Sequence, residues 1–208
     1  MKTYLILSLV LLVSYVGGIS TYGYFQRSEG APTVHGPQAI APAVESLSAF
    51  ASRVATQCKA KGSSGRIQAV SEQIAHIAQA SFQTREGQEA FILMVCIESR
   101  FDNSVRSKVG AIGYTQVMPA LVPSFSKDCG LGELSAADAS DGEINLRLGA
   151  CVFSDLLSQF DGNVALALAG YNSGPASPTT KKLGRLIPGN TETMGYVATF
   201  YELKESLK

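Results

Sequence analysis

A carboxylate at the end of an apolar run is the position in this chain that most needs a chemical explanation. Glu98 directly follows Phe91-Ile-Leu-Met-Val-Cys-Ile97, the strongest apolar run beyond the N-terminal segment. Burying a charged carboxylate against such a run is costly. If the run is helical, Glu98 also sits at the negative end of the helix dipole. Both effects hold the proton on and raise the pKa, as a general acid working near neutral pH requires. On these residues alone, a helix-terminal Glu paired with Arg100, Arg106 or Lys108 is the plainer alternative.

The stretch that follows shifts the balance. Gly110 and Gly113 allow backbone conformations closed to other residues and let another chain come close. Gln116 offers a donor-acceptor amide beside the apolar Met118 and the rigid Pro119. That combination suits a sugar carrying an acetamido group. Phe101 is placed to anchor the loop on the core.

The elements that must hold this stretch are helical. Apolar residues recur at helical spacing from Pro42 to Lys61 through Val44, Leu47, Phe50, Ala51, Val54 and Ala55. After the break at Gly62-Ser-Ser-Gly65, a second helix runs to about Phe82 with Ile67, Val70, Ile74, Ile77 and Ala78 on one face and His76 beside it, partly buried. Thr84 opens a third helix that ends near Ser99. Lys127 to Gly142 reads as a loop. Asp141 caps a helix to about Phe160, with Ile144, Leu148, Cys151, Val152 and Leu156 inward. Val164 to Ala169 forms a short helix ending in a Tyr171-Asn172 turn, Pro175 to Asn190 a flexible border, and Glu192 to Leu207 the last helix.

Size and composition bound the rest. The chain has 208 residues, 46% of them hydrophobic, enough for one buried core with N-terminal extras. Seventeen basic and 17 acidic residues cancel, so bulk charge points neither to nucleic acid nor to an acidic tail. Lys2 precedes a long apolar stretch, and no charge returns until Arg27; residues 1–26 are a secretory signal or an uncleaved membrane anchor. Residues 27–43, rich in Pro and Gly and containing His35, read as a linker, leaving 44–208 as the domain. Export would permit disulfides among Cys58, Cys96, Cys129 and Cys151, which allow three pairings. Cys96 and Cys151 also suit buried free thiols. The wide spacings and absence of a Cys/His cluster argue against zinc.

Four blocks in order carry a family resemblance over about residues 86–200. They are Glu98-Ser99-x-Phe101 with Ser107-x-x-Gly110-Ala111-x-Gly113-x-x-Gln116-x-Met118-Pro119; Asn145-Leu-Arg-Leu-Gly149; Ala169-Gly-Tyr171-Asn172-Ser-Gly174-Pro175; and Glu192-Thr193-x-x-Tyr196-Val197. Together they resemble the soluble lytic transglycosylase family. Departures are Gly170 for Ala, Tyr114-Thr115 for Leu-Met, and Val105 for Ala. The resemblance implies a mainly α, lysozyme-like fold with little or no sheet, a peptidoglycan substrate and no cofactor or metal. It implies that Glu98 protonates the oxygen between N-acetylmuramic acid and N-acetylglucosamine, then as base activates the muramoyl 6-hydroxyl to close a 1,6-anhydro ring. Tyr171 would orient and stabilise charge, while Ser99, Gln116, Met118, Asn172 and Glu192 hold the glycan. Asp102 and Glu192 are weak candidates for the second carboxylate an ordinary glycosidase needs. A goose-type lysozyme and a non-catalytic wall-binding protein are the alternatives. Asn145 is expected to tie its helix to the Gln116 loop. A small exported domain would suit a secretion, conjugation or pilus complex that needs the wall opened locally.

Overall fold

Short polar side chains set where the main helices begin. The computed structural model of the protein describes residues 44–173 and 191–208. The expected signal or anchor, the linker with His35 and the Pro175–Asn190 segment lie outside the described residues. Ser46 opens α1 (Leu47–Gln57), Ser63 opens α2 (Ser64–Ser81) and Thr84 opens α3 (Arg85–Ser99). Each side chain accepts from the backbone N–H three residues on. A cap of this kind contributes about 1 kcal/mol. A 3-10 turn at Pro119–Leu121 leads into α4 (Val122–Asp128), and a second one spans Ala136–Ser140. Asp141 then caps α5 (Gly142–Gln159) by accepting from the Ile144 N–H at 2.9 Å. The helices α6 (Val164–Ser173) and α7 (Thr191–Glu205) complete the order. Among the described residues the β structure is confined to two isolated antiparallel bridges, Arg106 with Ile112 and Ile112 with Val117. The fold is mainly α, as expected.

The helix α3 is the axis of the domain. Phe91, Ile92, Leu93, Met94 and Val95 are fully buried, so no face of this segment meets water. Such a helix must be enclosed by others, and α1, α2, α5, α6 and α7 all pack on it. A second, smaller cluster of Ile112, Val117, Val122, Ala139 and Leu148 lies beneath the loop after α3. The α5 helix joins the two clusters, giving Leu146, Ala150, Phe153 and Leu156 to one and Leu148 to the other.

Several expectations are corrected. Val44 precedes the first helix and is exposed, because the cap at Ser46 starts the helix later. His76 is exposed: α2 turns Ala75 and Ile77 inward, and the intervening side chain points outward. The stretch from Lys127 to Gly142 is only partly loop, since α4 holds Lys127 and Asp128 and a Ser135–Asp138 capping box organises the 3-10 turn. In α5, Leu146 and Phe153 take the deepest places while Ile144, Cys151 and Val152 are half-buried. Cys151 is not a free thiol: it is disulfide-bonded to Cys129, tying α5 to the end of α4. Cys58 and Cys96 carry free thiols. Finally, α6 does not stop at Ala169. The buried Gly170 continues the helix, so Tyr171 and Asn172 stand in its last turn rather than in a separate turn.

Candidate active site

The end of α3 is abrupt. Arg100 and Phe101 both take left-handed backbone angles, φ 53° and 61°. For non-glycine residues this costs roughly 1–2 kcal/mol each. Phe101, 3% exposed, is drawn into the core and offsets the strain by burial. The chain therefore turns away immediately after Ser99, and Glu98 is left lining a cavity of about 270 Å³. Lys61, Ser99, Arg100, Asp102 and Val105 line the same cavity.

The surroundings of Glu98 favour its protonated form. Burial pushes its carboxyl up to about 7, and a hydrogen bond from the Tyr196 hydroxyl to Oε1, 2.7 Å long, works in the opposite direction. Among the described residues neither Arg100, Arg106 nor Lys108 pairs with it. Arg106 instead donates to the carbonyls of Asn103 and Val105. Asp102, in the same cavity, has the opposite environment. Its Oδ1 accepts from the Ser104 hydroxyl and N–H, and Arg66 lies 3.8 Å away, which together hold its carboxyl below the usual range.

Two tyrosines flank the acid. Burial and the neighbouring Glu98 raise both phenols, so neither ionises near neutral pH. The Tyr171 hydroxyl donates to the Thr115 carbonyl at 2.8 Å, and its ring meets Phe153 edge-on. Tyr171 thus joins α6 to the loop while standing within the electrostatic reach of Glu98. Tyr196, on α7, was not among the site residues expected from sequence. Its signal lay in the closing block, four residues after Glu192, but nothing local announces a contact with a residue 98 positions earlier.

The loop itself is a built object. Asn145, fully buried, accepts from the Thr115 N–H and hydroxyl and donates to the Ile112 and Ala139 carbonyls, all at 2.9–3.0 Å. This is the tie expected of it. Gly113, at φ 84°, lies so close that a Cβ would overlap the Asn145 amide. Gln116 is also left-handed and gives its amide N–H groups to the Gly113 and Val105 carbonyls, at 2.9 and 3.3 Å. Its donors brace the loop. Met118 is exposed at the loop's end.

The remaining expected site residues are held by different elements. The Ser99 hydroxyl turns back to the Val95 carbonyl at 3.1 Å. Asn172 Oδ1 accepts from the Thr193 hydroxyl at 2.8 Å, joining α6 to α7. Glu192 is solvent-exposed in the first turn of α7. The structure thus gathers Glu98, Ser99 and Asp102 at one cavity and links Tyr171 to the loop. Among the described residues no group of three or more His, Cys, Asp or Glu converges to hold a metal ion.

The Tyr196 contact has a measurable consequence. Because its hydroxyl favours the anion of Glu98, Tyr196→Phe is expected to raise the pKa of Glu98 further. The basic limb of a kcat/KM profile should move to higher pH, and an unmoved limb would show that the hydroxyl does not act on the acid.

Comparisons with known proteins converge on one family. Residues 76–185, more than half of the chain, match the model of the transglycosylase SLT domain. The soluble lytic murein transglycosylases of Escherichia coli K12 and O157:H7 are each 32% identical in an alignment of 112 residues that covers 48% of this chain and 17% of theirs. An inactive glutamate-to-glutamine mutant of the lytic transglycosylase Slt from Pseudomonas aeruginosa superposes with a TM-score of 0.54 at 27% identity. That match covers 65% of this chain and 23% of the other. The chain therefore spans a minor part of the length of these relatives.

Proposed function

Since the chain belongs to the transglycosylase SLT domain family, we propose that it is a peptidoglycan lytic transglycosylase with Glu98 as its single catalytic carboxyl. In this reading the neutral Glu98 donates its proton to the bridging oxygen between N-acetylmuramic acid and N-acetylglucosamine. The substrate's acetamido group stabilises the cationic anomeric carbon. Glu98, now the anion, takes the proton of the muramoyl 6-hydroxyl, whose oxygen closes on that carbon. The proton returns to Glu98, and water is neither consumed nor released.

The observation that carries this reading is the carboxyl of Glu98, held near pKa 7 by burial where it lines the cavity. A group of that pKa serves as acid and base in successive steps at neutral pH. Tyr196, neutral and hydrogen-bonded to Glu98, positions it, and Tyr171, also neutral, is assigned to orientation and charge stabilisation. Met118, Gln116, Ser99, Asn172 and Glu192 are assigned to holding the glycan.

A hydrolytic reading, as in a goose-type lysozyme, draws on Asp102, the second carboxylate of the cavity. Its anion is already bound by Ser104 and Arg66, and a carboxylate held low makes a poor base. The transglycosylase is thus the better fit. Mass spectrometry of digested wall decides between them: anhydro products lacking one water support the lyase, and reducing muramic acid ends overturn it. We assign the N-terminal 26 residues to export or anchoring and the activity to local wall opening for an envelope-spanning complex. Co-purification from cross-linked membranes tests that role, and a protein found free of any complex would refute it.

A further inference from the structure

Two thiols that take no part in the Cys129–Cys151 cross-link meet beside the candidate acid. Cys58 is the residue at which α1 ends, and Cys96 lies on α3 two residues before Glu98. Both line one cavity of about 340 Å³, together with Lys59, Arg100, Thr199 and Leu203. Cys96 is 3% exposed and belongs to the core, whereas Cys58 is half-buried and so the more accessible of the two. The Cys58 thiol donates weakly to the Ala55 carbonyl at 3.8 Å, and the two neighbouring thiols act on one another so that the pKa of Cys58 is lowered and that of Cys96 raised. Arg100 stands near enough to favour the thiolate at either.

We propose that Cys58 and Cys96 form a second disulfide, fastening the C-terminal end of α1 to the helix that carries Glu98. Disulfides persist where the surroundings are oxidising, the same condition that the Cys129–Cys151 bond needs. The asymmetry of the pair sets the order of events. The accessible Cys58 thiolate attacks a small-molecule disulfide such as oxidised glutathione, forming a mixed disulfide and releasing one glutathione thiolate. The buried Cys96 thiol, giving its proton to a released glutathione thiolate, then attacks the Cys58 sulfur and expels the second glutathione. Two protein thiols are oxidised and one glutathione disulfide is reduced to two thiols, so the electrons balance. The closed loop encloses all of α2 and is longer than the 22-residue separation of Cys129 and Cys151. Longer loops remove more freedom from the unfolded chain.

The test uses the full chain. The protein is equilibrated with oxidised glutathione, denatured, alkylated with iodoacetamide and mapped by peptide mass spectrometry. The expected result is loss of alkylation at both Cys58 and Cys96, with one linked species joining their two peptides. Cys58→Ser and Cys96→Ser should each leave a single alkylated thiol at the partner position. Alkylation of both residues after oxidation, with Cys129–Cys151 intact, would overturn the proposal. So would linkage of Cys58 or Cys96 to Cys129 or Cys151. The wild-type map reads the bond directly, so a variant that folds poorly does not mask the answer.

Discussion

Glu98→Gln is expected to cut wall lysis by about 10³-fold or more while making the protein more stable above pH 7. The first effect follows from removing the proton donor, since general acid–base catalysis contributes roughly 10²–10⁴-fold and this residue is assigned both halves. The second follows from linkage. Folding raises the carboxyl of Glu98 from 4.5 to about 7. Between those values the folded state holds the proton more tightly than the unfolded chain, so stability falls as pH rises through that window. Above it the full cost remains, about 3 kcal/mol at 1.36 kcal/mol per pH unit. Glutamine never ionises, and its oxygen still accepts from the Tyr196 hydroxyl. Urea unfolding at pH 4 and pH 8 should therefore show near-equal stability at the first and a gain of about 3 kcal/mol for the variant at the second. Lysis by the wild type should decline as pH passes 7. An active variant would remove Glu98 from the mechanism. A variant that gains no stability at pH 8 would show instead that burial does not hold the proton.

The helices were legible because their signals are local. Thr84 and Asp141 cap where their types and positions predict, and the run from Phe91 to Ile97 declares a buried helix by lacking any polar face. Glu98 was legible for the opposite reason, as a carboxylate where the pattern calls for an apolar residue. Contacts across the chain were not. Tyr196 meets Glu98 only because α7 packs on α3, and no property of residues near Tyr196 encodes that. The cysteines show the same limit: Cys151 fits an apolar helical pattern as a thiol, yet the folded loop brings Cys129 against it. The end of α6 is another such case, since the pattern places it at Ala169 with a turn at Tyr171-Asn172, whereas the buried Gly170 continues the helix to Ser173. A glycine buried against neighbouring helices can continue a helix when its small size is what packing needs.

The loop's dependence on one buried amide gives the other large effect, in Asn145→Ala. Asn145 satisfies the N–H and hydroxyl of Thr115 and the carbonyls of Ile112 and Ala139, from a position with no exposure. Alanine leaves those groups buried without that partner, at about 1–3 kcal/mol for each that water cannot reach. The Thr115 hydroxyl keeps its bond to the residue-145 carbonyl, so the losses do not simply add. A loss of roughly 3–5 kcal/mol is expected, seen in urea unfolding as a lower midpoint with an unchanged slope. The damage should reach the site, because the freed Thr115 carries the carbonyl that receives the Tyr171 hydroxyl. Activity per folded molecule should therefore fall as well, whereas a remote cavity mutation of equal cost would spare it. Gly149→Ala strikes the same joint from the other side, since its Cβ would overlap the Thr115 side chain. If both variants lose stability but retain full activity once folded, the loop is only a buttress. If activity falls in both, the residues from Ile112 to Gln116 hold the wall of the cleft in place, and the site depends on α5 through that loop.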